Sequence, residues 1–304
     1  MQYFWQESDL IIDNLSVGFN NGPQTNVDEV IRFDDSKAAT SAVTLRPDIW
    51  LFPFLNVYGL FGKAKTSTTI DAALWLPDSA NNWTEVTAFS TKAEFNATTF
   101  GFGLTPTLGV NHGWLALDMN MAWTDVDALD KPVFTFVFGP RMGKTFNLKT
   151  PDRSIAFWAG GFRVKFTSAT AGSINLSEVM DFSGAQGKVD QGYIMVEDAR
   201  IQVDAWWNSL TPEQQQNPVN QARYETANRA LENAGGLLSA VDGALSTAST
   251  STVQYSLDKE LANMWNVVVG TQYQINRHYM IRAEIGFLGS RKQFLTGLQY
   301  RFGL

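Results

Sequence analysis

From Phe100 to Trp123 the large apolar residues fall on every second position. Phe102, Leu104, Pro106, Leu108 and Val110 alternate with Gly101, Gly103, Thr105, Thr107 and Gly109. After the Asn111-His112-Gly113 turn, Leu115, Leu117, Met119, Met121 and Trp123 alternate with Ala116, Asp118, Asn120 and Ala122. A period of two predicts a hairpin with one greasy face and one small or polar face. A half-buried soluble sheet shows the same alternation, so one hairpin does not say what lies on the greasy side.

The recurrence of the pattern along the chain does. Val43, Leu45, Pro47, Ile49 and Leu51 share one face against Thr44, Arg46, Asp48 and Trp50. Leu55 to Phe61 continues after a reversal at Pro53-Phe54, and Lys63 to Thr69 then reads as the start of a long polar loop through Trp75, Pro77 and Trp83. Phe134 to Met142 alternates against Thr135, Val137, Gly139 and Arg141. In Ser154 to Phe166 the reading places Trp158, Phe162, Val164 and Phe166 on the greasy face and Arg163 and Lys165 opposite. Trp265 to Ile275, Tyr279 to Phe287 and Phe294 to Leu304 complete nine clear strands, and the weaker segment Leu15 to Asn20 supplies a tenth.

Between the sixth and seventh clear strands lies an insert, Thr167 to Asn263. Its centre reads as helical: Thr211-Pro212-Glu213 has an N-cap residue with proline at the first helical position, and from Val219 apolar residues recur at helical spacing through Ala230, Leu231, Ala234, Leu238 and Leu245. Gly235-Gly236 argues against one unbroken helix. The Ala-rich stripe is expected to pack against the barrel mouth or lumen, capping or plugging it.

Connections alternate in length. Turns at Pro53-Phe54, Asn111 to Gly113, Asn147 to Asp152 and Asn276 to His278 are short; those near 67–95, 124–132, 167–263 and 289–292 are generally longer and more polar. Short turns on one rim and long loops on the other characterise bacterial outer-membrane barrels. Composition agrees: charged residues are 17% against roughly 25% in ordinary soluble domains, aromatics reach 13%, and no apolar run approaches the roughly 20 residues of a membrane helix. The chain has no cysteine, compatible with an oxidising periplasmic route, and a net charge of −7 with no basic aromatic patch argues against nucleic-acid binding.

On these residues the chain resembles a bacterial outer-membrane β-barrel protein. The final strand, Phe294-Leu-Thr-Gly-Leu-Gln-Tyr-Arg-Phe-Gly-Leu304, is similar to that class's C-terminal signature, although Leu304 stands where an aromatic residue is usual. The resemblance implies an all-β transmembrane, antiparallel up-and-down barrel of about 10 strands (8 or 12 are alternatives) with a partly helical extracellular insert. It implies an outer-membrane location, contact with the lipid bilayer, and recognition of the last strand by the outer-membrane assembly machinery.

Candidate chemistry is sparse. The only histidines, His112 and His278, fall in the short turns expected on the periplasmic rim, away from the extracellular mouth where a protease site of this class would lie. No Ser-His pair is placed on the wall, so no enzyme, catalytic residue or cofactor is assigned. Gly139-Pro-Arg-Met-Gly-Lys-Thr145 has one residue too few between its glycines for a P-loop and ends a strand rather than opening a helix. Asp125, Asp127 and Asp130 lack the glycine and terminal Glu of a calcium loop and read as solvated, with no metal assigned. By alternation, Arg46, Asp48, Asp118, Asn120, Arg141, Arg163, Lys165, Arg282, Glu284 and Arg301 face the lumen. These charges either pair into a network that fills the barrel or line a wet path favouring anions. The leading expectation is a narrow gated channel or small-solute transporter. The alternative is a structural or surface-interaction barrel with a filled lumen.

Overall fold

The computed structural model describes residues 1–77, 82–179, 184–247 and 250–302. In chain order it contains β1 (Gln2–Phe19), β2 (Thr25–Asn26), β3 (Ile31–Leu45), β4 (Asp48–Phe52), β5 (Leu55–Pro77), β6 (Trp83–Val110), β7 (Gly113–Val126), β8 (Val133–Asn147) and β9 (Ser154–Phe166). The insert follows as β10 (Ala169–Asn175), α1 (Leu176–Val179), α2 (Ala185–Ser209), α3 (Pro212–Gln215), α4 (Pro218–Leu245) and β11 (Thr252–Leu261). The wall resumes with β12 (Trp265–Gln274), β13 (Tyr279–Leu288) and β14 (Arg291–Tyr300).

Ten of these strands close a ring in the order β1, β3, β5, β6, β7, β8, β9, β12, β13, β14, with β14 pairing back onto β1 and every neighbour antiparallel. Closure gives each of the ten wall strands a partner on both sides, the condition for crossing hydrocarbon. The outward residues form the matching apolar belt: Phe61, Phe100, Phe102, Leu108, Met142, Val267, Ile285 and Leu298 are all exposed. Ring clusters mark its edges. Toward the long-loop rim Phe100 stacks on Trp123 at 5.5 Å and Trp123 packs tilted on Phe134 at 5.2 Å, while Phe52–Phe54 and Tyr279–Tyr300 pack at 5.6 and 5.1 Å toward the short-turn rim. The fold is a membrane barrel of the outer-membrane type.

Several strands run past the expected boundaries. β5 has 23 residues and β6 has 28, against the roughly ten that a tilted strand needs to cross a bilayer. Most of what reads as a polar loop near 67–95 is therefore a hairpin standing above the belt. Its alternation is masked because Thr66, Ser67, Thr68 and Thr69 put similar small polar side chains on both faces. β1 likewise runs from Gln2 rather than Leu15, and β3 begins at Ile31. Arg46-Pro47 interrupts the strand between β3 and β4: both pair with β5, and the Gly59 N–H donates to the Pro47 carbonyl. Leu304 lies outside the described residues.

The insert builds a cap on this extension. β10 pairs β11, β11 pairs the top of β1, and Leu129 bridges Gly172. Helices α2 and α4 form an antiparallel pair with a shared core: Val196, Ala199 and Val203 meet Ala227, Ala230, Leu231 and Ala234, and both pack on Val27, Val30, Ile31, Ala72, Leu74 and Leu76. Ala72 and Leu74 continue the inward face of β5 defined lower down by Asn56 and Tyr58, so the pair sits over the inner side of the raised wall. Thr211 caps α3 through a reciprocal box with Gln214. α4 runs unbroken through Gly235-Gly236, because its buried Ala230, Leu231 and Ala234 anchor it on both partners and outweigh the roughly 1 kcal/mol per glycine.

Candidate functional site: the barrel lumen

Inward residues of the lower and middle barrel meet in one polar cluster. Arg141, on β8, forms ion pairs with Asp118 on the adjacent β7 and with Glu284 on β13. Its Nη2 donates to Glu284 Oε1 at 3.1 Å, while Nε approaches Oε2 at 3.0 Å without hydrogen-bond alignment. Trp158 Nε1 donates to Glu284 Oε2 at 2.8 Å and Arg282 Nη2 to the same oxygen at 3.1 Å. Asp118 also accepts from the Thr105 hydroxyl. Asp118 and Arg141 are 7% and 6% exposed and Glu284 only 1%, so the central charges are withdrawn from water and neutralise one another.

A second group closes from the opposite wall. Asp48 accepts from Asn56 Nδ2 at 2.7 Å, Tyr58 donates to Asn120 Oδ1 at 2.7 Å, and the Arg46 guanidinium lies 3.4 Å from the centre of the Tyr58 ring. Below the cluster, a cavity of about 300 Å³ faces the short-turn rim, lined by Arg46, Asp48, Trp114, Arg282, Arg301 and Gln299 among others.

Register explains why these groups can meet. Tyr58 lies directly across from Gly103, which lies across from Asn120; a Cβ on Gly103 would stand 2.4 Å from the Tyr58 ring. Trp114, Gly143, Trp158 and Gly270 form a row over β7, β8, β9 and β12, and Glu284 comes next on β13. A Cβ on Gly270 would meet Trp158 at 2.4 Å, and one on Gly143 would meet Trp114 at 2.5 Å. Each glycine is a socket for a ring on the neighbouring strand. At these positions the inward glycines hold aromatic rings rather than opening lumen space. Trp114 points inward and donates to Thr145 at 3.2 Å.

The structure brings Arg46, Asp48, Asp118, Asn120, Arg141, Arg282, Glu284 and Arg301 to the lumen and its cavity. It places Arg163 and Lys165 elsewhere. Arg163 is register-paired with Phe138 and Trp265, and Lys165 with Phe136, all on the outward face. The parity of β9 is the reverse of the sequence reading, because Trp158 and Phe162 fill the interior: Trp158 enters the glycine sockets and Phe162 lies under the Arg291 guanidinium at 5.2 Å. Bulky residues at both parities, Phe157 beside Trp158, and Gly160-Gly161 in the middle leave the alternation of this strand ambiguous.

Sequence reasoning also missed Arg291, fully buried near the long-loop rim, where it donates to Gln6 Oε1 at 2.8 and 3.2 Å and to the Met264 carbonyl at 3.0 Å. Its inward parity was legible from the register of the last strand, which alternates from Phe294 onward. His278 stacks on Tyr300 at 5.7 Å in its turn. Asp125, Asp127 and Asp130 do not converge on a metal-holding group among the described residues.

No protein-family model matches the chain, and no curated protein is similar to it in sequence. Among solved structures it is similar to the β domain of the Bordetella autotransporter BrkA (8% identity, TM-score 0.34, covering 99% of this chain and 98% of that one). It is also similar to the transport unit of the autotransporter AIDA-I from Escherichia coli (8%, 0.31, 99% and 90%). An outer-membrane channel from Pseudomonas putida F1 gives 7%, 0.28, 99% and 95%. Likeness at this level carries no functional argument, and what identifies the chain as an outer-membrane-type barrel is its own closed ring and apolar belt.

Proposed function

We propose that the chain is a surface-interaction barrel of the bacterial outer membrane: its lumen is filled and non-conducting, and its long-loop rim presents the helical cap to a partner. The observation that carries this reading is the Asp118–Arg141–Glu284 bridge, braced by Trp158 and Arg282 and faced from the other wall by Arg46 and Tyr58. A conducting path needs charges that water can reach. Here the central three are buried against each other, and barrels of about this size are close to the width that side chains fill. The cap supports the partner role, because α2 leaves Tyr193, Ile194 and Ile201 exposed on an otherwise polar surface.

A second reading, a narrow anion-preferring channel, is favoured by one observation: Arg46, Arg282 and Arg301 give the cavity below the bridge a basic excess. Planar-bilayer recording separates the two. The filled-barrel reading expects no stepwise openings from the intact protein, nor after deletion of 169–261. Regular openings that grow on deletion refute it and support the gated channel.

A further inference from the structure

The outward placement of Arg163 and Lys165 leaves two cations on a face made for hydrocarbon. The outward positions of β8 hold Phe134, Phe136, Phe138, Pro140, Met142, Lys144 and Phe146, and those of β12 hold Trp265, Val267, Val269, Thr271 and Tyr273. None is a carboxylate. Arg163 meets Met264 Sδ at 3.9 Å, and among the described residues neither cation forms an ion pair. The nearest loop above holds Lys131 and Asp130, which line a separate cavity with Asp258.

Height decides what the pair can meet. Arg163 is level in register with Trp265, the first residue of β12 at the long-loop edge of the belt, and Lys165 lies two residues nearer that rim. A lipid-facing Arg or Lys costs several kcal/mol at the bilayer midplane but little at the interface, where its head reaches the polar layer while its stem lies along apolar rings. The rings are present: Phe136 and Phe138 on one flank, Trp265 on the other. The geometry points to a phosphate-binding subsite on the outer wall, in which Arg163 and Lys165 take the phosphorylated headgroup of an outer-leaflet lipid while Phe136, Phe138 and Trp265 pack its proximal acyl carbons. Arg163 supplies the planar fork suited to a phosphate, and Lys165 the compact point charge. The subsite is independent of whether the lumen conducts.

The test uses the full chain in detergent, with lipid binding read by native mass spectrometry. The probes are a diphosphorylated glucosamine-based lipid A and the same lipid stripped of phosphate. Wild type is expected to prefer the phosphorylated form, R163Q/K165Q to lose about 30-fold in affinity for it, and R163K/K165R to keep most of it. K144Q, an outward lysine at the short-turn rim, is expected to bind as wild type. Equal binding by wild type and R163Q/K165Q, indifference to the phosphates, or an equal loss in K144Q each overturns the proposal. Inorganic phosphate alone is expected not to compete at millimolar concentration; full competition removes the lipid from the assignment.

Discussion

Replacing Arg141 with Met tests whether the lumen is held by charge balance. The side chain is 7% exposed and stands between two carboxylates, so its loss leaves Asp118 and Glu284 buried. The two do not suffer equally. Glu284 keeps Trp158 Nε1 at 2.8 Å and Arg282 at 3.1 Å, whereas among the described residues Asp118 keeps only the Thr105 hydroxyl. Breaking a buried pair from one side costs about 3–5 kcal/mol. With Glu284 still paired, R141M is expected at the lower end, about 3 kcal/mol, most of it from Asp118. D118N/R141M removes the orphaned charge and is expected to recover about 2 kcal/mol, the scale of one uncompensated buried polar group. E284Q/R141M is expected to recover less, because it strips Arg282 of its partner. The assay is denaturant unfolding from phosphatidylcholine vesicles, followed by tryptophan fluorescence, with ΔΔG taken from the midpoint shift at constant slope. A cost for R141M under about 1 kcal/mol, or rescue by E284Q equal to or better than by D118N, refutes the view that the cluster is a compensated buried network.

Three further outcomes follow from other parts of the molecule. Gly270→Ala puts a methyl 2.4 Å from the Trp158 ring, so it is expected to displace that ring from Glu284 and shift the unfolding midpoint by about 1–3 kcal/mol; unchanged midpoint and unchanged tryptophan fluorescence argue against the socket. Leu231→Ala, at 1% exposure in the helix-pair core, is expected to cost about 2–4 kcal/mol locally, raising protease cleavage within 185–245 while the barrel's denaturation is unaltered; loss of the barrel itself disproves separable cap stability. Burial and the Asp130 charge push the Tyr255 phenol up to about 12, so the folded cap holds its proton where the unfolded chain releases it, and stability falls as pH rises from about 10 toward 12. An ultraviolet difference titration of wild type against Tyr255→Phe should show a phenol ionising near the upper limit, and one ionising near 10 contradicts the burial.

The wall was legible wherever lipid imposed strict alternation. Along β6 and β7 a greasy residue on the lumen side or a polar one in the belt carries a cost, so Phe102, Leu104, Leu117 and Asp118 declare their faces. Legibility fails where that constraint lapses. Between the belt and the helical cap, β3, β5 and β6 carry small, mostly polar side chains on both faces, and runs such as Ala38-Ala39-Thr40-Ser41-Ala42 carry no two-faced signal even though they pair in register with Thr66 and its neighbours. In β9 both sides want large residues, rings for the sockets inside and apolar groups outside, and Arg163 and Lys165 are tolerated outward because they lie at the interface. α2 was missed for a related reason: its buried set of Val189, Val196, Ala199 and Val203 is small and interrupted by polar positions, whereas α4 offers a denser alanine stripe.

The glycine sockets also bear on how the wall finds its alignment. Slipping one strand past the next by a single residue exchanges lipid and lumen faces and is forbidden by the belt. A slip by two keeps every greasy residue in lipid, so hydrocarbon contact cannot detect it. The rings can: moved by two residues, Tyr58 leaves Gly103 for Thr105 or Gly101, and Trp158 leaves Gly270 for Val268 or Gln272. On the Trp158 side, both alternative positions carry side chains where the ring must lie. Shear is therefore encoded from the inside, by a few ring-and-gap pairs that act as keys between neighbouring strands during assembly.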